Sequence, residues 1–214
     1  MTLAQALLRV RQALNQTDAD NTLWSTANIT DELEAGRRYF ATILDDKYLS
    51  KLRKTSSAIT LTAGVGAYPT DFLRLIDNGY ATFTSVVLAT AVPMVRLPED
   101  ERWRLRFFNT TDQVFATPQD TVAESNPVYW ETSGGIRVLP VVAGGASSIL
   151  YEYIFIPTAL TTNDDELLGE NVNDMVIEYA IEAVMRSTRG DQGLALSLAK
   201  NRGYKVREMQ SVIS

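Results

Sequence analysis

Apolar positions recur along this chain with two different periods, and the change of period divides it. Leu3, Leu7, Val10 and Leu14 are spaced four, three and four residues apart, which places them on one face of an α-helix. Thr2 and Gln5 have the spacing of a self-capping helix start, so a first helix is predicted over 2–16. Polar, turn-prone residues follow from Asn15 to Asn21, broken only by Ala19, and then Leu23-Trp24. A second stripe comprises Ile29, Leu33, Gly36, Phe40, Ile43 or Leu44, and Tyr48. It predicts a helix running to Leu52, with Thr30 or Asn28 as N-cap and Asp31, Glu32 and Glu34 suiting its positive start.

From Thr55 the period shortens to two. Ala58, Thr60 and Thr62 alternate with Ile59 and Leu61, and Gly64-Val65-Gly66 ends the run, predicting a strand and a tight turn. Tyr68 to Ile76 reads as a turn leading into a strand, and residues 80–97 carry further β-branched runs. Pro98-Glu99-Asp100-Glu101 is expected to open a short charged helix through Phe107. Val128 to Glu131 and Ile136 to Leu139 flank Ser133-Gly134-Gly135, a hairpin signal in which the glycine pair can supply positive φ. Gly144-Gly145 leads into Ile149 to Ile156, which Pro157 ends, and these strands are expected to be antiparallel neighbours.

The helical period returns with Val172, Val176, Tyr179 or Ala180, Ala183 and Val184. A last helix is predicted from Asp191, after the breaks at Gly190 and Gly193, carrying Leu194, Leu198 and, less regularly, Val206 and Met209. Two helix pairs around a β-rich block predict an α+β fold: a four-helix bundle built from the N- and C-terminal helix pairs, with a central β-rich insert. The expected division is 1–54 with 167–203 as the helical bundle, 55–166 as the insert, and 204–214 as a C-terminal docking tail.

Composition changes this picture mainly by exclusion. The chain of 214 residues has no cysteine and no histidine, which removes disulfides, thiolate zinc sites, cysteine nucleophiles and every imidazole-based mechanism. An enzyme would have to rely on carboxylates, Lys, Tyr, Ser/Thr or a hard cation held by oxygens, and none is expected. The start reads as a helix and not a signal peptide, because Arg9 and Arg11 interrupt it. The stretch Val86–Val95 is about half of the roughly 20 residues a bilayer span needs, so a soluble, non-secreted protein is expected. The net charge of −6 is uneven: +1 over residues 1–54, −11 over 55–185 and +4 over 186–214. The acidic middle argues against a surface that grips duplex DNA.

The candidate chemistry is sparse. Asn163-Asp164-Asp165-Glu166 is the densest acidic cluster, yet it lacks the glycine and distal Glu of a calcium loop. Asp45-Asp46 and Glu99-Asp100-Glu101 have no spacing that signals paired acid/base catalysis. Gly64-x-Gly66 and the two glycine pairs fit hairpin turns, not a phosphate loop. Ser50-Lys51 and Ser56 near Lys54 lack a nucleophile elbow. Trp103, Tyr129, Trp130 and Tyr151 suggest a base-stacking platform, but Arg137 is the only basic residue from Asn109 to Met185, so packing against the sheet is the expected role. No cofactor or metal is expected. The strongest local anomaly is the basic terminus: Lys200, Arg202, Lys205 and Arg207 interleave with Tyr204, Val206, Met209, Val212 and Ile213. It reads either as a solvated helix end, whose cations suit the negative dipole end, or as a docking tail with apolar anchors.

As a whole, the layout resembles the head–tail adaptor (connector) proteins of short-tailed bacteriophages. The residues that carry the resemblance are Leu23-Trp24-Ser25, Thr60-Leu-Thr-Ala-Gly64, Tyr68-Pro-Thr-Asp-Phe-Leu-Arg-Leu-Ile76, Pro127-Val-Tyr-Trp130, Ile136-Arg-Val-Leu-Pro140, Tyr151 to Thr161, and the closing helix pair. The resemblance implies a structural virion protein: a dodecameric ring docked below the portal protein at the head–tail junction. Such a ring assembles in the host cytoplasm, carries a tail nozzle or other tail component, has no membrane partner, and passes DNA through its channel without specific binding. Carried over to this sequence, portal docking falls on Tyr204, Lys205, Val206, Arg207, Met209, Val212 and Ile213. A stopper or tail-completion protein and a non-catalytic DNA-binding packaging factor are the alternatives.

Overall fold

The computed structural model describes residues 1–15, 24–77, 79–85, 88, 90–97, 125–142, 147–187 and 192–211. The expected charged helix at 98–107, Trp103, and the pair Gly144-Gly145 lie outside them. The chain divides into two compact units, Met1–Arg53 with Ile154–Ser214, and Lys54–Tyr153.

The described residues of the first unit form four α-helices: α1 (Leu3–Ala13), α2 (Thr26–Ile43), α3 (Glu170–Ser187) and α4 (Gln192–Ser211). The predicted capping box at Thr2 and Gln5 is present. The next free amides of α1 donate to backbone carbonyls of the acidic loop, Leu3 N to Asp165 O at 2.8 Å and Ala4 N to Asn163 O at 3.1 Å, so that loop serves as the seat of the helix start. The cap of α2 is Ser25, whose hydroxyl accepts from Asn28 N at 3.1 Å, and not Thr30 or Asn28. The helix also ends earlier than predicted, at Ile43, and two 3₁₀ turns, Asp46–Tyr48 and Ser50–Leu52, continue the chain. Asp45 and Asp46 oppose the negative end of a helix dipole, which disfavours carrying the α-helix through them. Ile29, Leu33, Gly36 and Phe40 are buried on α2, which packs on α3, where Val172, Val176 and Ala180 are buried and Tyr179 lies against Gly36 and Phe40.

The four-helix bundle with a central β insert is not what the chain forms. Among the described residues the fold is mixed α+β, with four α-helices and ten strands in two sheets. Helices α1, α2 and α3 pack on one another, whereas α4 makes its extensive contact with α3. A bundle member must bury a continuous apolar stripe between two neighbours, and Ala195 alone is fully buried among the described side chains of α4. Helix α4 also continues through Gly203 to Ser211, so residues 204–211 extend the helix where a separate tail was expected. Its inward stripe is Ala195, Leu198/Ala199, Arg202, Val206 and Met209. Arg202 occupies an apolar position of that stripe, and this leaves a gap in the apolar spacing between Leu198 and Val206.

The second unit carries both sheets. One has the order β1 (Arg53–Thr55), β10 (Ser147–Phe155), β5 (Ala81–Ser85), β6 (Val92–Pro93), with β2 (Ile59–Thr60) and β4 (Phe72–Leu75) also pairing with β10. The other runs β3 (Val65–Gly66), β9 (Gly135–Leu139), β8 (Val128–Thr132), β7 (Val95–Arg96). The predicted hairpin is β8–β9, closing on Ser133-Gly134 with Thr132 opposite Gly135. Strand β10 is not the neighbour of β9; it pairs antiparallel with β5, Ile149 opposite Phe83. Chain segments around 59–66 and 92–96 each begin in one sheet and end in the other, the way orthogonally packed sheets turn their corners. At the first corner both Ala63 (φ 49°) and Gly64 (φ 76°) are left-handed, as a type I′ turn requires. Gly135 (φ 149°) permits the close approach of β3, since a Cβ there would lie 2.2 Å from Gly66 O.

Candidate docking surfaces on the helical unit

Helix α4 is seated on α3 by charge. Glu182 on α3, buried, takes Arg186 Nη2 at 2.6 Å from its own helix and the Arg202 guanidinium from α4. One turn earlier on α3, Glu178 Oε1 accepts from Lys205 Nζ at 2.5 Å. The Arg202 guanidinium also lies 5.1 Å from the centroid of the Tyr179 ring, which stacks on Tyr39 of α2 at 5.6 Å. A carboxylate as buried as Glu182 is tolerable only with cations against it, and the two guanidiniums fulfil that need. Toward the end of α4, the Tyr48 hydroxyl donates to Met209 O at 3.4 Å.

The docking residues read from the sequence are therefore divided by the helix. Lys205 is engaged with Glu178, and Val206 and Met209 are half-buried on the inward side. Tyr204 is 58% exposed and Arg207 is exposed. Val212 and Ile213 lie outside the described residues. The outward flank of α4 further carries Leu196, 63% exposed, and Lys200, one turn on, also exposed. The sequence reading missed Glu178 and Glu182 as partners of the basic helix. The signal was available in their four-residue spacing, matched by Arg202 and Lys205 three apart on the next helix.

A second surface lies between α2 and α3. Trp24, Asn28, Asp31, Glu32 and Val184 line an open groove of about 280 Å³. Trp24 and Val184 are buried and form its apolar floor, while Asn28 and Asp31 are exposed on its rim. A larger groove, about 570 Å³, is lined by Met1, Gln5, Leu8, Arg9, Gln12, Asn173 and Asp174. There Leu8 is 56% exposed while Leu7 beside it is in the core, and Arg9 pairs with Asp174 at 2.9 Å.

Several of the remaining candidate residues have structural partners. Asp165 accepts from Thr162 N at 2.7 Å, Thr161 N at 2.6 Å and Thr162 Oγ1 at 2.9 Å. These bonds, the Thr162 amide first, hold its pKa below the usual carboxylate value. Glu166 pairs with Lys51, whose hydrogen bond likewise lowers the Glu166 pKa. Among the described residues no group of three or more acidic side chains is placed to hold a metal ion. Lys54 pairs with Asp71 at 2.7 Å, and Asp71 also accepts from the Tyr153 hydroxyl at 2.7 Å. Ser56 is buried and its hydroxyl accepts from Tyr151 N at 3.1 Å, so it bridges strands. Tyr129 and Tyr151 are buried, and burial raises both phenol pKa values. These rings are packed inside the second unit and are not presented to a ligand. No helix among the described residues is long and apolar enough to cross a membrane.

The chain thus presents surfaces and no assembled reaction centre among its described residues, and its relationship to known proteins accords with that. The sequence model of the family described as SU10 adaptor protein matches residues 1–210. The chain belongs to the SU10 adaptor protein family. It is accordingly a phage adaptor, a structural protein of the head–tail junction, in agreement with the resemblance seen in the sequence. The match runs through all four helices and both sheets and stops one residue short of the end of α4. No curated protein matches the chain.

Proposed function

We propose that this SU10 adaptor protein assembles as a ring, dodecameric by the resemblance of its sequence, that docks under the portal protein, extends the DNA channel and offers the platform on which the tail is built. The observation that carries this reading is the family match across residues 1–210, which includes α4 almost to its end. Docking falls on the C-terminal stretch Tyr204, Lys205, Val206, Arg207, Met209, Val212 and Ile213. Tyr204 and Arg207 are exposed at the outset, and the half-buried Val206 and Met209 add apolar area once a partner closes over the helix. The −11 charge over residues 55–185 suits a conduit that must pass DNA without holding it, because phosphate contacts create affinity that would stall movement.

A DNA-gripping role for the basic terminus is disfavoured, since Arg186, Arg202 and Lys205 are committed to Glu182 and Glu178. The test is the mass of the protein alone and mixed with the portal ring of the same virion, intact and lacking residues 204–214. Stoichiometric loading of the intact chain and none of the truncated one is expected. Absence of loading by the intact chain overturns the adaptor-ring reading; equal loading by the truncated chain overturns the docking assignment alone.

A further inference from the structure

We infer that the groove between α2 and α3, lined by Trp24, Asn28, Asp31, Glu32 and Val184, receives the outward flank of α4, Leu196 and Lys200, from a second copy of this chain. The inference rests on the proposed ring and specifies its subunit contact.

The two surfaces match in chemistry. Among the described residues the groove has an apolar floor and an acidic rim with no basic side chain in its lining. The flank carries one large apolar side chain, 63% exposed, and one exposed cation a helical turn away. Lys200 seated at the rim would neutralise carboxylates of Asp31 and Glu32 while Leu196 covers the floor, a pairing of apolar centre and charged edge suited to a subunit interface. The inward side of α4 is already taken by α3 through Glu178 and Glu182, so α4 meets another subunit by its exposed side, where Leu196 and Tyr204 are the large apolar side chains.

The occupant is a second copy because both halves of the match are on every chain. A contact between two different patches of one molecule is heterologous, and repeated around a rotation axis it closes into a ring in which every groove and every flank is filled. An unrelated partner carrying only one half would leave the other exposed on each subunit. Residues 204–214 are outside the contact and remain available to another partner.

The chain has no cysteine, so two introduced thiols report the contact directly. Asn28→Cys marks the exposed rim, and Gly203→Cys marks the flank at an exposed position where an added Cβ meets nothing within 4 Å. The double variant is treated with a short bis-maleimide when dilute, when concentrated, and when mixed with the portal ring. The expected result is uncrosslinked monomer when dilute and a ladder of linked chains once loaded, with only linked pairs from a mixture of the two single variants. Lys200→Glu in the double variant should cut the ladder by about tenfold or more, and Asp31→Lys with Glu32→Lys in that same chain should restore it, with circular dichroism confirming the fold of each.

Loading without a ladder, or a ladder indifferent to Lys200→Glu, overturns this inference and leaves the adaptor reading standing. A Lys200-dependent ladder in concentrated solution with no loading on the portal upholds the contact and overturns the adaptor reading. Neither loading nor ladder overturns both.

Discussion

Helices α3 and α4 are adjacent in sequence, similar in length at 18 and 20 residues, and held to the fold by different physics. Helix α3 buries Val172, Met175, Val176, Ile177, Ala180, Ile181 and Val184, each large apolar side chain contributing about 1.5–3 kcal/mol. Helix α4 buries Ala195 fully, half-buries Leu198, Ala199, Val206 and Met209, and sets Arg202 and Lys205 against Glu182 and Glu178; the more exposed of these pairs, Lys205–Glu178, contributes about 0–1 kcal/mol. Apolar burial is strong but indifferent to register; ion pairs are weaker but specify which turn meets which. Helix α3 therefore holds the unit together, and α4 is positioned on it with its outward flank free to meet partners.

The largest effect that would break this contrast is a cavity. Met175→Ala in α3 should lower the unfolding free energy by about 2–5 kcal/mol, whereas Leu198→Ala on the half-buried stripe of α4 should lower it by less than about 1 kcal/mol; chemical denaturation of both variants measures the gap. Equal losses would place α4 in the core. Next in size, Glu182→Ala should destabilise the α3–α4 seam by about 1–2 kcal/mol, discounted because Arg186 is half-exposed and Arg202 partly exposed. Hydrogen exchange should locate the loss in α4 and leave the amides of α1 and α2 unchanged.

Salt gives a smaller version of the same test. Raising ionic strength toward 1 M shortens the screening length to about 3 Å, so exchange of α4 amides should quicken while α3 amides hold. An α4 as salt-insensitive as α3 would show that apolar contact, not charge, seats it. The smallest expected effect lies at the acidic loop that seats α1. Because its hydrogen bonds hold the Asp165 pKa below the usual value, its contribution is present above the ordinary carboxylate pKa of about 3.9 and is lost as pH falls through the lowered folded value. Asp165→Asn should shave that part of the acid limb from a plot of Tm against pH and leave the seam between α3 and α4 untouched.

Local features of this protein were legible in the sequence because neighbouring residues set them. The Thr2–Gln5 cap, the buried stripe of α2 and the β8–β9 hairpin follow from spacing and turn chemistry within a few residues. The absence of His and Cys excluded whole classes of chemistry by itself, and the order of motifs carried the family. The sites were less legible: the sequence marked the basic terminus but not what its cations face.

What only the tertiary structure decided depends on residues far apart in the chain. Strand β10 belongs beside β5 and not β9, because Phe83 and Ile149 meet across 66 positions, a choice no local pattern encodes. Helix α4 runs past Gly203 because Glu182, twenty residues upstream, lets Arg202 occupy a position that periodicity reserves for an apolar side chain. The same pairing sets α4 mainly against α3, outside the α1–α2–α3 packing, and so undoes the expected bundle. Periodicity and turns are written in the backbone's near neighbourhood; charge partners, strand neighbours and the faces left open are decided only when distant segments come together.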